Sequence, residues 1–425
     1  MRGPVPADRR KRRLNSRQHE MRTWGGKPLK AFTNILRLSL DRRLRKIEAR
    51  GLPFILYYEP ATFCNLKCPS CPTGTGLLDR PKELVSAEAF RKTIDGLADW
   101  VFILNMYNWG EPLMHREFAA LVRYAAERGI IVTASSNLSV PLTDRQCEEI
   151  VGSGLHSLKI GIDGASPQVH AQYRRGSSLE LVHKNVRALM RARAALGSPT
   201  PVISVSYHAF AHNESEIDEF SKQMAEIGVD SYSAVPAWLP PDGTVSMPKD
   251  PRYNMYQAVN RSIAKLRAKG KQLRPCTWLY YASIVNPGGT ISPCCGVVSE
   301  GSDFGRVDAT NGPGDVGEQF RRAWNGQKYS AARELFGTAA HAERWAATNL
   351  RDLEVDGMAF SGKDASMICA KCPIPQTLEQ WSRQIVRIYR RTCRLTWQCL
   401  RAFDLPGAVA NAVKALILRI AVWLQ

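Results

Sequence analysis

Three thiols are the first place where this sequence could do chemistry. Cys64, Cys68 and Cys71 stand in a C-x3-C-x2-C spacing within Pro60-Ala-Thr-Phe-Cys-Asn-Leu-Lys-Cys-Pro-Ser-Cys-Pro72. Structural zinc takes four ligands, usually from two paired knuckles. No fourth Cys or His lies within about twenty residues of the triplet, the range over which such spacings run. Three thiolates on one short loop can instead hold three irons of a 4Fe–4S cube and leave the fourth iron without a protein ligand. The spacing therefore favours an iron–sulfur cluster with one open corner.

A second thiol set lies far downstream. Cys276 precedes the strand-like run Tyr280–Val285, the turn Asn286-Pro-Gly-Gly289 follows, and Cys294 closes the next strand. Such a hairpin brings both thiols to one end. Cys369-Ala-Lys-Cys372 adds a knuckle and completes four thiolates, enough for a second cluster. Cys295 is the alternative to Cys294, and structural zinc is the alternative metal. Cys147, in mid-helix, reads as a small core residue.

The elements that must carry these thiols follow from periodicity. Strand candidates at 53–59, 101–107, 130–135, 156–163, 201–208 and 229–235 alternate with helices at about 86–99, 115–128, 143–153, 179–196 and 214–227. That alternation is the pattern of βα units and a parallel sheet. Ser86 is a candidate N-cap, with Glu88 in the first turn. The cysteine loop follows the first strand, and the polar loops after the other strands share its end of the sheet. Chemistry gathers at that end in barrels of this kind. A lead-in helix is expected within 29–49, carrying Leu29, Phe32, Ile35, Leu38, Leu44 and Ile47 against the barrel. Leu239-Pro-Pro-Asp-Gly243 reads as a linker, with a helix at about 253–268 beyond it.

Composition bounds the rest. The chain has 425 residues, long enough for two or three domains. Its formal charge of +19 is carried by the ends: 16 Lys and Arg against 4 acidic residues in 1–50, and 8 against 1 in 381–425. The body between is neutral, so nucleic acid is not expected as a partner of the active site. Two helices close the sequence. Residues 381–402 carry an Arg stripe, and 407–424 carry Val409, Val413, Leu416, Ile417, Ile420, Trp423 and Leu424 on one face. They read as solvated helices packed on the body, or as interfacial helices for a membrane or an acidic partner. No uncharged run approaches the ~18 residues of a membrane span. Eleven clustered cysteines and an Arg-rich N-terminus without an apolar core point to a reducing cytoplasm, with attachment to the inner membrane face as the alternative.

With these motifs in order, the chain resembles the radical S-adenosylmethionine superfamily. The resemblance implies an α/β fold, a partial (β/α)6 TIM-like barrel over about 51–240, after a basic arm and lead-in helix at 1–50. It implies S-adenosylmethionine bound to the open corner of the first 4Fe–4S cluster. Gly110, Glu111 and Pro112, in Tyr107-Asn-Trp-Gly-Glu-Pro112, match the loop that receives the methionine amino group. Ser136 and Asn137 match the segment that meets the ribose hydroxyls. Asp163, in Lys159-Ile-Gly-Ile-Asp-Gly-Ala165, would face the substrate cavity. Arg174 or Arg175 would take the methionine carboxylate. Two departures stand out: Trp109 replaces the loop's usual first glycine, and Ser70 stands where an aromatic commonly lies near the adenine, with Phe63 or backbone as substitutes. His208, Tyr207, Tyr232 and Trp238 are further cavity candidates from strands five and six.

Cys276, Cys294, Cys369 and Cys372 resemble the shortened, single-cluster form of the superfamily's SPASM domain, called twitch, over about 241–380, with 381–425 as basic C-terminal helices. The implied activity is radical oxidation of an alcohol or amine carbon, with the auxiliary cluster accepting an electron. The enzymatic alternative is peptide or sugar modification by epimerisation or crosslinking, for which Cys295 or Cys147 could return a hydrogen. A zinc-containing scaffold for membrane or RNA is the non-catalytic alternative. A small-molecule, sugar or peptide substrate and a reductase such as a flavodoxin or ferredoxin are the implied partners.

Overall fold

A computed structural model describes residues 20, 23–24, 26–237, 245–254, 275–310, 312–335, 390 and 405–423. Six parallel strands form one run of the sheet: β1 Ile55–Tyr58, β2 Ile103–Asn105, β3 Ile131–Ser136, β4 Ser157–Gly161, β5 Val202–Ala209 and β6 Ser231–Pro236. They lie in the spatial order β6-β5-β4-β3-β2-β1, each pairing with its neighbour in sequence. All six strand candidates fall where the sequence puts them. β1 is buried along its whole length, as a strand covered on both faces should be.

The connecting helices follow the expected series. They are α1 Leu29–Arg43, α2 Pro72–Thr75, α3 Ala87–Leu97, α4 Phe118–Glu127, α5 Asp144–Val151, α6 Pro167–Tyr173, α7 Leu179–Ala195 and α8 Ile217–Ile227. Ser86 caps α3 by accepting the Ala89 N–H at 3.1 Å. Phe90, Thr93, Ile94 and Leu97 form the buried face of α3. α5 opens with a full capping box between Thr143 and Gln146. The short helices α2 and α6 were not legible from periodicity, because each has fewer than two full turns.

Beyond β6 the sheet continues where the sequence suggests a separate hairpin. Helix α9 Trp278–Tyr281 leads into β7 Ala282–Val285, β8 Thr290–Ser292 and β9 Gly305–Arg306. β7 runs parallel to β1, with Ile55 opposite Ala282 and Tyr58 opposite Val285, whereas β8 and β9 are antiparallel additions. The result is one nine-stranded sheet, ending β1-β7-β8-β9. Tyr280 and Tyr281 thus belong to a helical turn, not to the strand. Tyr280 donates its hydroxyl to the Lys46 carbonyl at 2.7 Å, and the Tyr281 ring packs on Phe54. Two further helices, α10 Pro313–Trp324 and α11 Gln327–Leu335, cover this end. α10 crosses α3 at Gly96 and Gly317, where a Cβ on Gly96 would come 2.5 Å from the Pro313 carbonyl oxygen.

The lead-in helix exists as α1 but stops at Arg43. Phe32, Ile35 and Leu38 are buried as expected, while Leu29, Leu44 and Ile47 are exposed. The last helix, α12 Leu405–Trp423, packs on α1. Its buried residues are Ala408, Asn411, Ala415, Leu418 and Ala421, mostly small side chains that permit close approach. Of the expected apolar face, Val409, Val413, Leu416 and Ile420 are exposed, whereas Ile417 is half-buried against the core. No described helix is long and apolar enough to cross a membrane. The expected helices at 253–268 and 381–402, together with Trp238, lie outside the described residues or nearly so.

Candidate active site

The cysteine loop hangs from the C-terminal end of β1 and is held from three sides. Lys67 N–H donates to the Arg175 carbonyl at 2.9 Å, Asn65 donates to the Ser139 carbonyl at 3.1 Å, and the Thr62 hydroxyl donates to the Pro81 carbonyl at 2.6 Å. Gly74, in α2, is pressed against the loop so closely that a Cβ would lie 2.5 Å from the Cys68 backbone. Cys64, Cys68 and Cys71 are unbridged and within electrostatic reach of one another. Burial pushes the Cys64 thiol up to about 11 and that of Cys68 up to about 12. Iron must therefore displace protons from them when it binds. Among the described residues no group of three or more His, Cys, Asp or Glu converges as a single ion would require.

The Trp109–Pro112 loop lies directly on this one. Glu111 N–H donates to the Phe63 carbonyl at 3.0 Å, and a Cβ on Gly110 would overlap the Ala61 carbonyl oxygen. No other residue type fits there. Glu111 is buried, and burial raises its carboxyl above the usual range. Its Oε1 accepts from the Ser136 hydroxyl at 2.7 Å and from Leu113 N–H at 3.0 Å, and its Oε2 accepts from Asn137 N–H at 2.8 Å. A carboxylate has about four lone-pair sites. These three bonds therefore leave one for a cation. Ser136 and Asn137, expected at a ribose, here hold Glu111, and the Asn137 amide also reaches Cys64 Sγ at 3.4 Å. The indole N–H of Trp109 and the amide nitrogen of Asn108 are buried without a partner among the described residues.

Arg174 and Arg175 separate cleanly. Arg175 is exposed. The Arg174 side chain points inward and donates Nε–H to Asp163 Oδ2 at 2.5 Å. Its guanidinium fills the space over Gly161, where a Cβ would overlap Nη2, and lies within electrostatic reach of Cys68 and Glu111. Neither terminal nitrogen has a hydrogen bond among the described residues. The structure thus presents a half-buried cation with unused donors beside the cysteine loop. Asp163 does not line an open cavity, as its place at the strand end suggested. It is fully buried, accepting from Arg174 and from both the N–H and Nδ1 of His208, at 2.7 and 3.1 Å. Those neighbours hold its carboxyl well below the usual range despite burial.

Tyr207 and Tyr232 also depart from expectation. Both turn toward Phe220 of α8, outside the strands, with ring centroids 4.8 and 6.3 Å away. An aromatic that the motif reading missed is Tyr173. Its hydroxyl hydrogen-bonds Ser70, so an aromatic ring does stand beside the position before the third cysteine, and it stacks on Phe210 at 4.3 Å. Spacing alone could not show that residue 173 folds back to residue 70. A groove of about 590 Å³ beside this loop is lined by Pro69, Tyr173, Arg175, His212 and Val245, among others.

Cys147 is a buried core residue, as its mid-helix place suggests. At the second thiol set, burial raises the Cys295 thiol to about 11, and Cys276 lies within electrostatic reach of it. Cys294 acts instead on Tyr329. Tyr57 and Tyr107 hydrogen-bond each other beside Cys295, and Trp278 stacks on Tyr57 at 5.1 Å. Cys369 and Cys372 lie outside the described residues.

Comparison with known proteins matches residues 58–230 to the Radical SAM superfamily. The PqqA peptide cyclase of Bradyrhizobium diazoefficiens is 22% identical over 370 residues, covering 80% of this chain and 92% of that protein. The AdoMet-dependent heme synthase of Methanosarcina barkeri is 26% identical over 128 residues, covering 30% of this chain and 36% of its own length. Among solved structures, native anSMEcpe with bound AdoMet and Cp18Cys peptide superposes with a TM-score of 0.48 at 11% identity, over 85% of this chain and all of that one.

Proposed function

We infer that this chain, whose residues 58–230 form a radical SAM domain, cleaves S-adenosylmethionine and abstracts a hydrogen atom from a peptide substrate. The observation that carries the first half is the convergence of Cys64, Cys68 and Cys71 with buried Glu111 and half-buried Arg174 at one end of the sheet. These residues suit the ligand by charge. Three thiols would hold the cluster, Glu111 offers its remaining lone pair to the methionine ammonium, and Arg174 offers its two terminal nitrogens to the methionine carboxylate. When bound, the cluster supplies the electron that splits the sulfonium into methionine and a 5′-deoxyadenosyl radical.

The chain's own residues do the positioning. Asp163 fixes the Arg174 guanidinium through Nε and leaves the outward edge for ligand. Ser136 and Asn137 fix Glu111, and the Asn137 amide bridges from that carboxylate to the cysteine loop. Burial around Cys68, Tyr173 and Phe210 excludes water from one flank, which strengthens each of these charged contacts. Holding the substrate C–H near the reactive carbon is the remaining task, and orientation of that kind is worth orders of magnitude in rate.

A peptide is favoured as substrate because the similarity to the PqqA peptide cyclase extends over 80% of the chain, well past the radical SAM domain. A second reading is oxidation of an alcohol or amine carbon. It is favoured by the strand β7, which sets the Cys276 and Cys294–Cys295 segment beside β1. With Cys369 and Cys372, Cys276 and one of the adjacent pair would hold a second 4Fe–4S cluster able to accept an electron when bound. Mass spectrometry of candidate peptides after anaerobic turnover separates the readings. With turnover in D2O and fragmentation of the product, a new covalent link between two residues or a deuterium gained at one Cα supports modification, whereas loss of two hydrogens with no new link supports oxidation.

A further inference from the structure

We propose that Glu59 is a positioning residue for the Trp109–Glu111 loop, and that the Arg80–Asp303 pair makes the β7–β9 strands part of that positioning. The inference rests on the reading of this loop as part of the S-adenosylmethionine site. Glu59 follows β1 directly and is fully buried. Its Oε1 accepts two N–H groups of the loop, Trp109 at 2.7 Å and Gly110 at 2.6 Å. Its own N–H donates to the Val285 carbonyl on β7 at 3.1 Å. One residue therefore ties the loop to both strands.

The second carboxylate oxygen explains the connection further out. Glu59 Oε2 is buried with no partner among the described residues. A cation within electrostatic reach of Glu59 is Arg80, whose Nε is likewise buried and without a partner among the described residues. Arg80 is itself locked by a bidentate pair with Asp303, at 2.7 and 2.8 Å, and by the Ser292 hydroxyl at 3.1 Å. Ser292 donates to Asp303 at 2.5 Å and accepts from Asn286 at 2.9 Å. The seam thus runs from the loop to Glu59, crosses to Arg80 by charge attraction and not by a hydrogen bond, and continues as a hydrogen-bonded network from Arg80 to β8. A buried charge left half-satisfied is costly. Here that cost is accepted where two short N–H bonds fix the backbone of Gly110, the residue whose missing Cβ lets the loop touch the cysteine loop.

The test uses the full chain, anaerobically loaded with iron, as wild type, Glu59→Ala, Glu59→Gln and Asp303→Asn. Hydrogen exchange without S-adenosylmethionine reads the loop directly. Glu59→Ala is expected to speed exchange at the Trp109 and Gly110 amides at least about tenfold, roughly the value of one hydrogen bond, with α3 and α4 unchanged. Glu59→Gln keeps an acceptor oxygen and is expected to stay within about threefold of wild type. Asp303→Asn is expected to speed the same two amides by an intermediate factor. Equilibrium binding of S-adenosylmethionine should weaken in the same order, about tenfold or more for Glu59→Ala. Unchanged exchange at both amides in Glu59→Ala, or equal loss in Glu59→Gln, overturns the positioning role. Unchanged exchange in Asp303→Asn overturns the part given to the hairpin strands. A wild type that shows the exchange pattern but binds no S-adenosylmethionine overturns the functional reading and leaves Glu59 as a positioning residue of the fold.

Discussion

Arg174→Met would remove the cation that reaches toward the cysteine loop from the end of α6. Two costs follow. Asp163 would lose its partner at 2.5 Å while staying fully buried. Breaking a buried pair typically costs about 3–5 kcal/mol. His208 still donates twice to the other Asp163 oxygen, so the low end, about 3 kcal/mol, is expected. The second cost falls on ligand. Hydrogen bonds to charged groups contribute about 1.5–3 kcal/mol, so the S-adenosylmethionine Kd should rise roughly 10- to 150-fold. Gly161→Ala separates the two effects, because it keeps every charge. Its Cβ would overlap Nη2 and lie 2.9 Å from Cζ, forcing the guanidinium off its present site. Affinity should fall without loss of the arginine. Arg175→Met, on an exposed side chain, should change affinity by less than about twofold. Equilibrium dialysis on anaerobic, iron-loaded protein, with unfolding midpoints as the stability control, measures all three. Wild-type affinity in Arg174→Met, or a larger loss in Arg175→Met, would refute the assignment.

Two further outcomes are expected. Burial pushes the Glu59 carboxyl from 4.5 up to about 7, so its favourable contribution is complete below 4.5 and lost as pH rises through 7. Glu59→Gln should therefore stabilise the chain by up to about 3 kcal/mol at pH 8.5 and by almost nothing at pH 4, readable by urea unfolding, and a gain that does not grow with pH would contradict it. Gly110→Ala places a methyl on the Ala61 carbonyl, so stability should drop by about 1–3 kcal/mol and S-adenosylmethionine binding should fall sharply, with Gly312→Ala, open on all sides, as the neutral control in thermal unfolding.

Much of the site was legible because its signals are local. The cysteine triplet and the Gly110–Pro112 loop lie in the segments that follow β1 and β2, the Arg174–Arg175 pair follows the short helix after β4, and alternation of apolar runs placed those strand ends. The choice between Arg174 and Arg175 was not legible, since it depends on the turn after α6 sending one side chain to Gly161 and the other to solvent. Glu59 was read only as the end of a strand. An acidic residue closing an otherwise apolar, doubly covered strand was the available signal, because such a charge is rarely buried without a task. Arg80, Tyr173 and the pairing of β7 with β1 are contacts across long sequence separations, which periodicity does not register. The last helix failed in a different way. Val409, Val413, Leu416 and Ile420 share a face as expected, yet the face with Ala408, Ala415, Leu418 and Ala421 is the buried one, because small side chains there permit close approach.

The most direct test is reductive cleavage of S-adenosylmethionine by the anaerobically reconstituted wild-type chain, with Cys64→Ser, Cys68→Ser and Cys71→Ser alongside. Dithionite should yield 5′-deoxyadenosine and methionine with the wild type and neither with any of the three variants. Bound iron without 5′-deoxyadenosine, or equal product from the variants, would contradict the radical chemistry assigned to this site.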